Sequence, residues 1–127
     1  MNAYLMSVDA RSQANYYIEA LGGEIQFVST YGDAPGAPES MKDKVMHLAV
    51  TVVGTNPLML SDAFEPVSYN RSVSLSLTYN DEAEARAAYA KLSEGGESKY
   101  PFALQPWGAY YGEVMDRFGV TWMITKM

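Results

Sequence analysis

The sequence predicts an α+β protein made of two similar βαβββ modules, and three observations support this prediction. An apolar helical quartet occurs twice, with a Gly-Gly-Glu sequence shortly after each copy, and the chain closes with an aromatic segment typical of a β-hairpin. The two quartets are Ala14, Tyr17, Ile18 and Leu21, then Ala85, Ala88, Tyr89 and Leu92. Each module is therefore expected to place one helix on one face of a small sheet.

The first module begins with an apolar strand over residues 4–8. Asp9 follows it as a candidate helix N-cap, and Gly22-Gly23 ends the helix because glycine adopts the left-handed cap without strain. A strand is predicted over 24–31, then a Gly- and Pro-rich loop over 32–44. Further strands are predicted over 45–53 and 58–61.

The second module begins with residues 72–79, where Ser or Thr alternates with an apolar residue at every step. Asp81 and Glu84 have the spacing of a helix capping box, and Glu82 with Arg86 forms a favourable i, i+4 pair. After the helix come an extended stretch and the aromatic hairpin of 107–124, which turns at 116–119.

The composition restricts the classes of function. A length of 127 residues corresponds to a single domain. The chain has no cysteine and a net charge of −6, which excludes thiolate chemistry and argues against a nucleic-acid partner. No segment has the length and apolar character of a membrane span or the pattern of a signal peptide, so no membrane association and a cytoplasmic location are expected.

Five segments in this order resemble the vicinal oxygen chelate superfamily of glyoxalases, bleomycin-resistance proteins and dioxygenases. The likeness is to its PhnB-like branch, whose usual label is 3-demethylubiquinone methyltransferase-like. The segments are 17–23, 31–35, 42–47, 58–62 and the closing hairpin. The resemblance implies one glyoxalase-like domain over 1–127, with modules of about 1–65 and 66–127. It also implies an open barrel with its helices outside, and a homodimer.

Metal-dependent members of this superfamily place one ligand on the first and one on the last strand of each module. The matching positions here are Asn2 or Ala3, Met59, Ser74 and Met123. Thioether and neutral hydroxyl groups are poor ligands for hard or borderline divalent ions. The resemblance therefore predicts neither a bound metal nor another cofactor in this chain.

The same positions predict a cavity wall. If Ser74 faces inward, Ser76 does too, and an inward Met59 brings Ser61 with it, because strand side chains alternate with a period of two. With Met123, the wall is small, polar and padded by methionine, which suits an unidentified small organic ligand.

Four further residues are candidates for the site, and three of them have a structural alternative. His47, the single histidine, is a candidate general base, or is half-buried and satisfied by a neighbour. Glu113 is a candidate acid or base, or pairs with a basic residue, and Tyr111 shares its face. Trp107 stacks on a planar ligand, or caps a core or a dimer contact.

Three functions remain open on these residues, and the third is a purely structural role that depends on the dimer surface. The first is a metal-free small-molecule binding protein. The second is a metal-dependent lyase, isomerase or dioxygenase-like enzyme that uses His47 and Glu113. A methyltransferase is not expected, because no Gly-rich strand-to-helix turn is present to hold an adenosyl cofactor.

Overall fold

The computed structural model describes residues 1–127, which form two compact units, Met1–Val67 and Ser68–Met127. Each unit contains one α-helix and one four-stranded mixed sheet. The predicted α+β class and the two βαβββ modules are confirmed. Each sheet taken by itself is open, with two edge strands. The single-domain organisation stays a prediction.

In the N-terminal unit the strands run in the order β1-β4-β3-β2. β1 and β4 are parallel, and the other neighbours are antiparallel. Two short 3-10 turns, Tyr31–Asp33 and Glu39–Met41, lie in the predicted loop. The elements are β1 (Ala3–Ser7), α1 (Ala10–Leu21), β2 (Gly23–Thr30), β3 (Val45–Val52) and β4 (Asn56–Asp62).

The C-terminal unit repeats this topology in the order β5-β8-β7-β6, again with one parallel pair, β5 with β8. The hairpin was predicted to begin at residue 107, but its first strand begins at Tyr110, and Trp107 lies in the turn after β6. The elements are β5 (Ser74–Tyr79), α2 (Glu82–Ser93), β6 (Glu97–Leu104), β7 (Tyr110–Met115) and β8 (Thr121–Lys126). At twelve residues each, α1 and α2 both fall short of what crossing a membrane requires.

The repeated quartets are the faces by which the helices pack on their sheets. All four members are buried in α2, and in α1 only Ile18 is half-buried. Asp9 caps α1 by accepting a hydrogen bond from the Ser12 backbone N–H at 3.2 Å. Gly22 ends α1 with a φ of 80°, in the conformation that glycine favours.

Each sheet consequently has a helix-covered face and a helix-free face. In β3, Leu48, Val50 and Val52 are buried on the helix side, and the residues between them are half-buried. In β8, Trp122 and Ile124 are buried in the same way, as the sequence predicted for Trp122. The helix-free faces therefore display the polar and aromatic residues with the opposite parity.

Asp62, at the end of β4, joins the start of the helix to the sheet. Its carboxylate accepts hydrogen bonds from the backbone N–H groups of Ala10 and Val45, each at 2.7 Å. The side chain is only 8% exposed. A negative charge at the first turn of α1 also interacts favourably with the helix dipole. Asp62 therefore fixes α1 against β3 and β4.

We expect Asp62→Ala to lower the free energy of unfolding by about 2–4 kcal/mol, because two buried N–H donors lose a charged acceptor. Urea unfolding monitored by circular dichroism measures this loss. The matched control is Asp43→Ala, which removes an exposed carboxylate from the same unit. Equal stability of the two variants would contradict the assigned role.

Candidate functional site

A chain of hydrogen bonds joins three side chains on the helix-free face of the N-terminal unit. The Tyr4 hydroxyl oxygen lies 3.0 Å from His47 Nδ1 and 2.5 Å from Ser61 Oγ. Ser61 Oγ in turn donates to the backbone carbonyl of Met46 at 2.8 Å. The single histidine is therefore linked to a tyrosine and, through it, to a serine. That serine bonds to the backbone of Met46, which is in the same strand as His47.

The strand order explains why these side chains meet. Tyr4, Ser61 and His47 come from β1, β4 and β3, which are consecutive in the sheet. Tyr4 is paired with Met59, two positions before Ser61, and Leu48, next to His47, is paired with Leu60. Alternation then places all three side chains on the face opposite α1.

Aromatic rings border this chain of hydrogen bonds. The Phe27 ring centroid lies 5.8 Å from that of His47, and the Tyr4 centroid lies 5.6 Å from it. Tyr4 is 49% and Phe27 53% exposed, whereas His47 is half-buried. A planar molecule on this face would contact apolar surface and reach a polar side chain at the same time.

The sequence identified part of this arrangement. His47 and Ser61 were both candidates, and Met59 lies on the same face beside Tyr4. Tyr4 was missed, although its alternation with the half-buried Leu5 was a usable signal. The expected neighbour that satisfies His47 is present as the Tyr4 hydroxyl.

Other candidates lie together on the helix-free face of the C-terminal unit. Ser76, Met123 and Glu113 form one cross-strand row, since Met123 is paired with both of the others. Ser74 is paired with Thr121 in a neighbouring row. His47 and Glu113 belong to different units, and their joint action stays a prediction.

Tyr111 and Glu113 are adjacent on this face of β7. Burial raises the pKa of Tyr111 to about 12, and its hydrogen bond to the Glu113 carboxylate acts in the same direction. The phenol is therefore a stable hydrogen-bond donor at neutral pH. Glu113 has a tyrosine partner that the sequence did not predict.

Trp107 is 69% exposed in the turn between β6 and β7. One of the alternatives was that Trp107 caps a core, and an indole ring this exposed does not cap the core of its unit. Contact with a ligand or with another chain stays open as a role for this residue.

The positions at which the superfamily holds a divalent ion do not fit one here. Tyr4 faces the helix-free side of β1, next to Met59 on β4. Ala3 is paired with Leu58 and faces the helix, and Asn2 precedes the strand. In the C-terminal unit the corresponding residues are Ser74 and Met123. Phenol, hydroxyl and thioether groups are poor donors for hard or borderline ions. No group of three or more His, Asp or Glu side chains is arranged to hold a metal ion.

Thr121 supplies an unpaired hydroxyl in the C-terminal unit. The residue is 2% exposed, and its Oγ1 has no hydrogen-bond partner. It alternates with Trp122 and so lies on the helix-free face, between Ser74 and Met115 in the sheet. Buried hydroxyls are rarely unsatisfied, so this one marks a position where a polar atom would be stabilised.

Comparison with known proteins assigns this architecture to a class. A member of the glyoxalase/bleomycin resistance protein/dioxygenase superfamily from Sphaerobacter thermophilus aligns with a TM-score of 0.64 at 21% identity, covering 99% of this chain and 94% of that one. Identity at that level concerns the fold alone. The two units therefore have the fold of this superfamily, as the sequence predicted.

The sequence comparison is more specific. A sequence model described as 3-demethylubiquinone-9 3-methyltransferase matches residues 2–125, and the chain belongs to this family. Protein PA1353 from Pseudomonas aeruginosa is 34% identical, with a TM-score of 0.83 and coverage of 99% of this chain and 96% of that one. A putative 3-demethylubiquinone-9 3-methyltransferase, PhnB protein, from Bacillus cereus has the same TM-score at 24% identity, covering 100% of this chain and 98% of that one. The predicted PhnB-like resemblance is confirmed.

We expect Thr121→Val to raise the free energy of unfolding by about 1 kcal/mol, because the substitution removes a buried hydroxyl without a partner and keeps the side-chain volume. Chemical unfolding of the ligand-free protein measures the change. Thr125→Val is the matched control, since Thr125 is half-buried on the same face of β8. A loss of stability in Thr121→Val would show that the hydroxyl is satisfied.

Proposed function

We propose that this protein binds a small organic molecule, without a metal ion, on the helix-free face of its N-terminal unit. The hydrogen-bonded chain of Tyr4, His47 and Ser61 is the observation that carries the proposal. It combines positioned polar groups with exposed apolar surface, which is the composition of small-molecule sites. Met59, paired with Tyr4, is proposed to contact the same ligand.

Residues of the C-terminal unit are proposed as ligand contacts within that unit. Ser76 and Met123 lie in one row with Glu113, and Tyr111 offers a donor beside that carboxylate. Ser74 and the exposed Trp107 complete the set proposed from the sequence. These positions supply hydroxyl, thioether and aromatic groups, which suit a neutral and partly apolar compound.

An enzymatic role is the second candidate, with His47 and Glu113 as acid and base. The hydrogen bond that orients His47 favours it, because an oriented imidazole is what general acid–base catalysis requires. Neither proposed function is a methyltransferase activity. Metal analysis of protein purified without chelators separates a metal-dependent reaction from metal-free binding.

A thermal-shift screen against a broad set of metabolites tests the binding proposal. At least one compound is expected to raise the melting temperature, because a ligand selective for the native state stabilises it. Tyr4→Phe is expected to lower the affinity for that compound by about fivefold to tenfold, because one hydrogen-bonding hydroxyl is lost.

Tyr31→Phe is the matched control for this screen. It removes a tyrosine hydroxyl from the same unit, at a residue whose ring packs against Phe64 and not against His47. Equal loss of binding in both variants, or no stabilisation of the folded wild type by any compound, would count against the proposed site.

We also propose that the protein partner is a second copy of this chain. β2 and β6 are edge strands of eight residues each, and both display large exposed apolar side chains. These include Ile25 on β2, and Tyr100 and Leu104 on β6. Long apolar edges favour pairing with another chain, so a homodimer would protect them.

Leu104→Lys is expected to shift the protein from dimer to monomer, because it places a charge on the exposed edge of β6. Size-exclusion chromatography with light scattering gives the mass. Val8→Lys is the control, since Val8 is 63% exposed and lies outside the strands. A monomeric wild type at micromolar concentration would contradict the dimer.

A further inference from the structure

We infer that the chain of hydrogen bonds fixes His47 in its Nδ1–H tautomer, so that Nε2 is the acceptor for a donor group on the ligand. The inference rests on the proposed function and specifies its ligand as a planar aromatic molecule with a neutral hydroxyl or ring N–H. Tyr4 and Ser61 act here as positioning residues for the His47 imidazole.

The direction of the hydrogen bonds follows from counting protons. The Met46 carbonyl can only accept, so the single Ser61 hydroxyl proton is donated to it. Ser61 Oγ must then accept the Tyr4 hydroxyl proton. Tyr4 has no proton left for His47, and the contact of 3.0 Å requires that Nδ1 donates to the tyrosine oxygen.

The reverse arrangement leaves one group unsatisfied. If Tyr4 donated to Nδ1, Ser61 would have to donate to Tyr4, and the Met46 carbonyl would lose its bond from Ser61. Only one assignment uses all three protons in all three contacts. A neutral imidazole that donates through Nδ1 has its lone pair on Nε2, which is therefore the acceptor.

The surroundings of the ring define the class of ligand. Phe27 and Tyr4 present exposed aromatic surface within 6 Å of the His47 centroid. An aromatic molecule that stacks on these rings and donates to Nε2 satisfies both features. A ligand with only acceptor groups would leave Nε2 unpaired and would bind less tightly.

Nitrogen NMR of the imidazole tests the tautomer without any ligand. The chain has one histidine, so a spectrum of 15N-histidine-labelled protein needs no assignment between residues. In the wild type, at a pH where the ring is neutral, Nδ1 is expected to have the 15N chemical shift of a protonated ring nitrogen. Nε2 is expected to have the 15N chemical shift of an unprotonated one. An Nε2–H tautomer in the wild type would overturn the inference.

Ser61→Ala is expected to reverse the tautomer, because Tyr4 loses its acceptor and can donate to Nδ1. Tyr4→Phe removes the partner of Nδ1 altogether, and a mixture of tautomers is expected. Ser40→Ala is the control and leaves the wild-type pattern, since Ser40 is exposed in the loop before β3. If Ser61→Ala does not fold, Tyr4→Phe alone decides, and an unchanged Nδ1–H tautomer there overturns the inference.

Two matched probes test the class of ligand, 2-naphthol and 2-methoxynaphthalene, which differ in whether the oxygen carries a proton. The wild type is expected to bind 2-naphthol about tenfold more tightly, as one hydrogen bond allows. Tyr4→Phe and Ser61→Ala should reduce the preference to about twofold or less. Equal binding of the two probes, or binding of neither, overturns the assigned class of ligand. Small-molecule binding itself is judged separately by stabilisation with other compounds in the metabolite screen.

Discussion

One helix covers only one face of each four-stranded sheet, and this constraint determines the rest of the structure. Apolar residues of one parity pack against the helix, as Leu48, Val50 and Val52 do in β3. Residues of the other parity have no helix to cover them. They are the hydroxyls, thioethers and aromatic rings from which the candidate site is built. The residues of a core and a site therefore alternate along the same strands.

The helix-free face of the N-terminal unit shows how this constraint yields chemistry. Tyr4, Ser61 and His47 come from three adjacent strands. The Met46 backbone carbonyl, at the end of the chain of hydrogen bonds, can only accept a hydrogen bond. That carbonyl orders the hydrogen bonds back to the imidazole. The result is a histidine with a defined orientation, next to aromatic surface that a ligand can contact.

Local features of the sequence predicted the elements well. Asp9 and Asp81 cap the two helices, and Gly22 and Gly95 have positive φ values close to the helix ends. Alternation in 72–79 predicted the buried side of β5. These features depend on neighbouring residues, which is why the sequence could reveal them.

Contacts between distant strands were beyond the sequence. Tyr4 meets His47 only because β1 joins the sheet beside β4 in parallel, in a register that no local pattern specifies. Asp62 and the fully buried Gln13 are similar cases. Gln13 bonds to Ser7 and Tyr17 inside the core, whereas glutamine is a residue type usually found on the surface. Such polar partners become evident only when the strands are aligned.

Methionine methyl NMR detects directly whether a ligand contacts the helix-free face of the N-terminal unit. Met6 and Met59 lie on that face, on β1 and β4, whereas Met41 lies in the loop and Met127 at the end of the chain. Adding a compound that stabilises the protein should shift the methyl signals of Met6 and Met59 and leave those of Met41 and Met127 in place. Shifts confined to Met41 or Met127 would contradict binding on this face.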